Sequence, residues 1–241
     1  MSKKHPSINL NDARPFFQAS ASASAASPVI VSDQGEGGGT ECFFKDLDRE
    51  LLRLLREHQP DAIIGCVAWM THPDILQHLI DARIPCAIAV QKERSLQPDK
   101  ILNKRSVAFF AAQKLRRLYD QVTPLPWEPH AFCCVGIVGT KAHITPIMHH
   151  KFLVFLHRTS VGDGALASWE QLAPGSVWNG SWNISRNGTN GFDNATFYAY
   201  QPHIANTFLN EAHFVHSQAE PLDWKSRASK PAGKAPQASK E

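Results

Sequence analysis

No run of the chain comes near the roughly 18–20 consecutive apolar residues that a membrane-spanning helix needs, so no stable membrane insertion is expected. The start, MSKKHPSINLNDARPFF, carries charge but no apolar segment behind it, and residues 19–26 are only alanine and serine. No secretory leader is read there, and a cytoplasmic protein is the expectation. Cysteine is sparse: the five residues are an odd number without a C-x-x-C pair. Cys66 and Cys86 sit in apolar runs, where a free thiol behaves as a small hydrophobe. That usage fits a reducing compartment rather than a disulfide framework. An excess of one charge is also missing. Lys plus Arg is 25 and Asp plus Glu is 22, a net +3 over 241 residues. This excludes a strongly basic coat protein and a chain disordered throughout by self-repulsion. No self-similarity of 20–50 residues marks a repeat architecture.

Large apolar side chains are thin over residues 1–40, which hold an Ala/Ser block and a glycine run at 35–39, and the Lys-, Ala-, Ser- and Pro-rich end at 219–241 reads the same way. Neither segment buries enough to offset its ordering entropy, so both are expected to be disordered, the second as a basic tail. The folded body is expected at 41–218, long enough for a substantial core. That body is nearly neutral, yet residues 92–117 hold eight cations against two acids, a net +6. A clustered field of this kind attracts a polyanion even when the total is small. The competing reading is a solvated helix face.

Periodicity predicts helices over 43–58, 71–82, 99–119 and 203–217, and strands over 62–69, 85–91, 132–138, 147–156, 176–183 and 194–200. Pro73 and Asp74 suit the first turn of the second helix. Strand–helix alternation followed by a run of strands implies an α/β fold with a mixed β-sheet flanked by helices.

Two polar segments interrupt buried-looking strands. In Met148-His149-His150-Lys151-Phe152, strand alternation turns His149 and Lys151 to one face and His150 to the other. An imidazole beside an ammonium can attack a phosphate while the cation neutralises the non-bridging oxygens. In Trp178-Asn179-Gly180-Ser181-Trp182-Asn183, Ser181 and Asn183 share a face and can donate to phosphate oxygens. Asp193 follows, an acid able to fix the tautomer of a histidine.

The pattern His149-x-Lys151, Gly180-Ser181-x-Asn183, Asp193-Asn194 resembles the HKD motif of the phospholipase D superfamily, and most of all its small single-motif bacterial nucleases. The resemblance covers roughly 60–200. It implies a phospholipase D-like sheet with one HKD motif per chain and no metal or other cofactor. It implies His149 as the nucleophile forming a covalent phosphohistidine, Lys151 and Asn183 binding the phosphate, Ser181 assisting and Asp193 orienting the histidine. It also implies a homodimer with a shared site, because no second His-x-Lys occurs. One departure is Leu156, at a position where the motif usually carries an acid.

Other residue types compete for attention. His130, Cys133, Cys134 and His143 are ligand types whose spacing matches no zinc pattern. Four Asn-x-Ser/Thr triplets at 179–196 fit an Asn-rich loop better than glycosylation, since no leader precedes them. His150 is read as a packing or solvent-side residue. Trp69, Trp178 and Trp182 either stack bases or pack in the core and wall the cleft. The leading expectation is a metal-independent phosphodiesterase acting as an endonuclease on DNA or RNA, with Lys92, Arg94, Lys104, Arg105 and Trp182 as substrate contacts. The alternatives are a phosphatidyl hydrolase or transferase, and a catalytically degenerate nucleic-acid-binding module.

Overall fold

The computed structural model describes residues 29–31, 38–97, 101, 103–136, 147–159, 166–189 and 191–223. Residues 1–28, 32–37 and 224–241, for which disorder is expected, lie outside this set. The sheet nevertheless reaches beyond 41–218 at the N-terminal side, through β1 (Val29–Val31) and β2 (Gly39–Phe43). At the other end Glu220 forms a backbone bridge with Cys134.

The remaining strands are β3 (Ala62–Val67), β4 (Cys86–Gln91), β5 (Phe132–Val135), β6 (Lys151–Arg158), β7 (Leu172–Gly180) and β8 (Ala195–Ala199). The helices are α1 (Leu47–His58), α2 (Pro73–Asp81), α3 (Val107–Gln121), the single turn α4 (Arg186–Thr189) and α5 (Pro202–Ser217). The eight strands form one sheet in the order β1-β2-β8-β7-β6-β3-β4-β5. β3, β4 and β5 run parallel, and every other neighbouring pair is antiparallel. The fold is therefore α/β, with a mixed sheet flanked by helices.

Both sheet faces are covered, and strand alternation divides the core in two. Ile63 and Val67 of β3, with Leu153 and Phe155 of β6, join Leu51, Leu54, Leu76 and Leu79 of α1 and α2. Ile64, Cys66, Phe152, Val154 and Leu156 face the other way, onto Ala205, Ala212 and Val215 of α5. A strand buried on both faces has no polar alternation to show, which is why these runs read as continuously apolar.

Element boundaries differ from the periodicity where a local bond intervenes. α1 begins at Leu47 rather than 43, because Phe43 closes β2 and Asp46 takes a left-handed conformation. α3 begins at Val107 rather than 99: the Ser106 hydroxyl caps it, accepting from Phe109 N at 3.1 Å. β6 starts at Lys151 rather than 147, and β7 ends at Gly180 rather than 183. Among the described residues, no helix is long and apolar enough to cross a membrane.

Burial holds six histidines, His58, His72, His78, His157, His213 and His216, below their ordinary protonation range. As pH falls through about 6.5 the unfolded chain takes up these protons before the folded chain does. Stability should therefore decline from pH 7.5 to 5.5, seen as a falling urea midpoint with an unchanged denaturant slope.

Candidate functional site

The parallel strands β3 and β4 end beside the place where the antiparallel β6 begins and β7 ends. Val67 pairs with Lys151, Phe152 with Asn179, and Gly180 with Ala195. One sheet edge thus gathers residues 67–71, 91–95, 148–151, 180–183 and 193–194. Open α/β sheets place their sites at such strand ends.

The segment before β6 is shaped by side chains as well as by the ladder. Gln91 Oε1 accepts from Met148 N at 2.7 Å, and His150 O accepts from Ala68 N at 2.8 Å. His149 therefore precedes the strand, and simple alternation does not set its direction. Its exposed ring stands edge-on to Trp69, with centroids 5.8 Å apart. Lys151 is the first strand residue and is 5% exposed. Its Nζ donates to His149 O at 2.7 Å and lies 5.9 Å from the centre of the Trp69 ring. Burial pushes its ammonium below the usual lysine range, while Asp193 pulls in the opposite direction. Trp69 is itself anchored, Nε1 donating to Glu93 Oε1 at 2.5 Å.

The second polar segment leaves the ladder after Gly180. A Cβ at Gly180 would stand 2.2 Å from Asn194 O, so only glycine permits this approach of β7 to β8. Ser181 N donates to Asn194 O at 3.0 Å, and Ser181 Oγ donates to Asp193 Oδ1 at 2.9 Å while accepting from Asn194 N at 3.0 Å. Asn183 Oδ1 is buried without a hydrogen-bond partner among the described residues. Ile184 O accepts from Thr71 N at 2.8 Å and His72 N at 2.9 Å, tying this segment to the turn after β3.

Lys151, Ser181 and Asp193 are thereby brought together, and His149 joins them through Trp69. The Asp193 carboxylate holds the Ser181 hydroxyl and favours the charged form of Lys151. Ser181 and Asn183 lie beyond the strand, so shared-face alternation does not govern them either. His150 turns away, its Nε2 3.0 Å from Glu211 Oε1 of α5.

Two expected substrate contacts point inward. Trp182 is 1% exposed, edge-on to Trp178 and His72, and presents no face for a base. Lys92 is also 1% exposed and ion-paired with Glu220, because β4 carries it into the core. Lys104 and Arg105 are exposed in the turn before α3. Arg94 opens a 3-10 turn at Arg94–Leu96, and its side chain lies outside the described set. Gln91 and Glu93, which brace the site, were not singled out in the sequence. The one signal for them is a polar end to an apolar strand.

An exposed imidazole beside a buried ammonium, with a hydroxyl and an amide nearby, has the groups needed to attack a tetrahedral anion and hold its oxygens. Among the described residues no group of three or more His, Cys, Asp or Glu is placed to hold a metal ion. His143 lies outside that set.

Comparison with known proteins places this geometry in context. No family model matches the chain. It is 24% identical over 208 residues to Uncharacterized protein L381 of Acanthamoeba polyphaga mimivirus, covering 76% of this chain and 67% of that one. Among solved structures it is similar to NucT from Helicobacter pylori, with a TM-score of 0.48 and 14% identity over 76% of this chain and 99% of that one. It is also similar to a phospholipase D family member. That protein is Nuc from Salmonella typhimurium, at a TM-score of 0.44 and 16% identity over 78% of this chain and 99% of the other.

The Gly180 approach yields a test. Gly180→Ala should lower stability by about 1–3 kcal/mol, the scale of overpacking a close contact, read as a reduced urea midpoint.

Proposed function

We propose that the chain is a metal-independent phosphodiesterase of the phospholipase D type, acting on nucleic acid as an endonuclease. The observation that carries this reading is the buried Lys151 ammonium, held between Trp69 and its own His149 carbonyl, with the His149 ring exposed beside it. A cation stationed there compensates the charge of a phosphodiester at the point where an imidazole can reach phosphorus.

In the proposed reaction a ring nitrogen of His149 attacks phosphorus, forming an N–P bond as one P–O ester bond breaks. The departing oxygen takes a proton from a second imidazole. Water then attacks the phosphohistidine, the N–P bond breaks, and the water proton returns to the second imidazole. Lys151 and the Asn183 amide hold the non-bridging oxygens, with Ser181 assisting. Asp193 keeps the Ser181 hydroxyl oriented. The sequence contains a single His-x-Lys, so the second imidazole is His149 of another copy in a two-fold homodimer, the commonest closed assembly.

Leu156 does not argue against activity. It lies five residues along β6 from Lys151, about 17 Å at the usual strand rise, and is buried against α5 and its neighbours. An apolar residue there completes the core and removes no group from the site.

Wild-type protein should cleave plasmid or single-stranded DNA in EDTA, and His149→Ala should lose at least 1,000-fold of that rate, roughly the loss of a nucleophile. Loss of wild-type cleavage in EDTA would sink the metal-independent mechanism. Turnover of phosphatidyl lipid without DNA cleavage would replace the substrate. Light scattering should give twice the chain mass; an active monomer contradicts the shared site.

A further inference from the structure

Helix α3 is fixed against the rim of the candidate site. Tyr119 Oη donates to Met70 O at 2.7 Å, bolting the helix to the turn after β3. In the same turn Thr71 N donates to Ile184 O, next to Asn183. Between this turn and the helix runs an open groove of about 410 Å³, its walls including Thr71, Ser95, Ala108, Ala111 and Leu115. The alanines keep its floor shallow and apolar. Lys114 lines the groove as well and belongs to a ridge of α3 residues three or four apart, Val107, Phe110, Lys114 and Arg117, all solvent-exposed, that runs along the helix beside the groove. Phe110 is 58% exposed, a large apolar area to leave in water. Neither Lys114 nor Arg117 is ion-paired with a carboxylate among the described residues. Lys104 and Arg105 add exposed positive charge just before the helix.

We propose that this groove and ridge bind single-stranded nucleic acid adjoining the scissile phosphate, with a base stacked on Phe110 and flanking phosphates on Lys114 and Arg117. The proposal deepens, and rests on, the phosphodiesterase reading of the neighbouring site. Its ground is complementarity: planar apolar groups alternate with anionic ones along a single strand, and Phe110 stands along the chain between the exposed cations Lys104 and Arg105 before the helix and Lys114 and Arg117 farther along it. A duplex keeps its base faces stacked on one another and offers none to Phe110. An acyl chain fills the groove but makes no use of that alternation.

The test is fluorescence anisotropy with a 5′-fluorescein oligo(dT) 20-mer and the full chain, in a His149→Ala background so that the probe stays intact. Phe110→Ala should weaken binding roughly 10-fold. Lys114→Ala combined with Arg117→Ala should flatten the salt dependence of log affinity by about 1.4, the single-strand value for two lost phosphate contacts. Phe214→Ala removes an equally exposed aromatic from α5 and should change nothing. The proposal is overturned if the oligonucleotide does not bind, or if Phe110→Ala stays within twofold of its parent. It is overturned as well if Phe110→Ala weakens only binding to phosphatidylglycerol vesicles. Binding is read without turnover, so the two readings separate. A Phe110 effect in a chain whose His149 form cleaves nothing rejects the catalytic mechanism alone. DNA cleavage with Phe110-independent binding rejects the groove alone.

Discussion

The antiparallel insertion of β6 between β3 and β7 is the constraint on which the rest depends. Had β6 continued the parallel run of β3, β4 and β5, its first residues would lie at the opposite end of the sheet. Because it runs backward, Lys151 pairs with Val67 at the C-terminal end of β3. The antiparallel β6–β7 pairing then delivers Gly180 to the same edge. Segments more than a hundred residues apart along the chain meet there. Both faces of β6 are apolar, so a one-residue slip would put Phe152 and Val154 in place of Leu153 and Phe155 against α1 and α2, and the register rests on close packing rather than on polar alternation.

At that edge an ammonium is drawn out of water, an unfavourable step for a lone charge. Three local features offset it: the His149 carbonyl, the Trp69 ring and the field of Asp193. A cation–π contact contributes about 0.5–2 kcal/mol depending on desolvation. Trp69 therefore has a double use, as partner of Lys151 and as the surface against which the His149 ring rests. Its indole N–H is held by Glu93, at the end of β4. Two parallel strands thus brace groups contributed by a third, antiparallel one.

Much of this was legible in the residues. The strands from 62, 85 and 132 and the helix opening at Pro73 need only periodicity to be seen, while the pairing of His149-x-Lys151 with Gly180-Ser181-x-Asn183 comes from the family resemblance. The misreadings share a cause. Trp182 and Lys92 are of types that bind nucleic acid, but which way a side chain points at the end of a strand depends on what packs over it. Trp182 is covered by Trp178 and His72, and Lys92 by Glu220 from far along the chain, which bridges to β5 beside it. Strand alternation also fails for His149, Ser181 and Asn183, because the chain leaves the ladder just where the polar residues begin.

The sequence by itself determined the two-faced core and the kinds of groups assembled in the site. Apolar period and residue chemistry are local properties that a linear chain displays. Only the tertiary structure decided that Asp193 holds Ser181, that Gln91 and Glu93 brace the site, and that Phe110, Lys114 and Arg117 form one exposed ridge beside it. Those are relations across strand ends and between packed elements. They depend on a few ångströms of placement that no residue specifies alone.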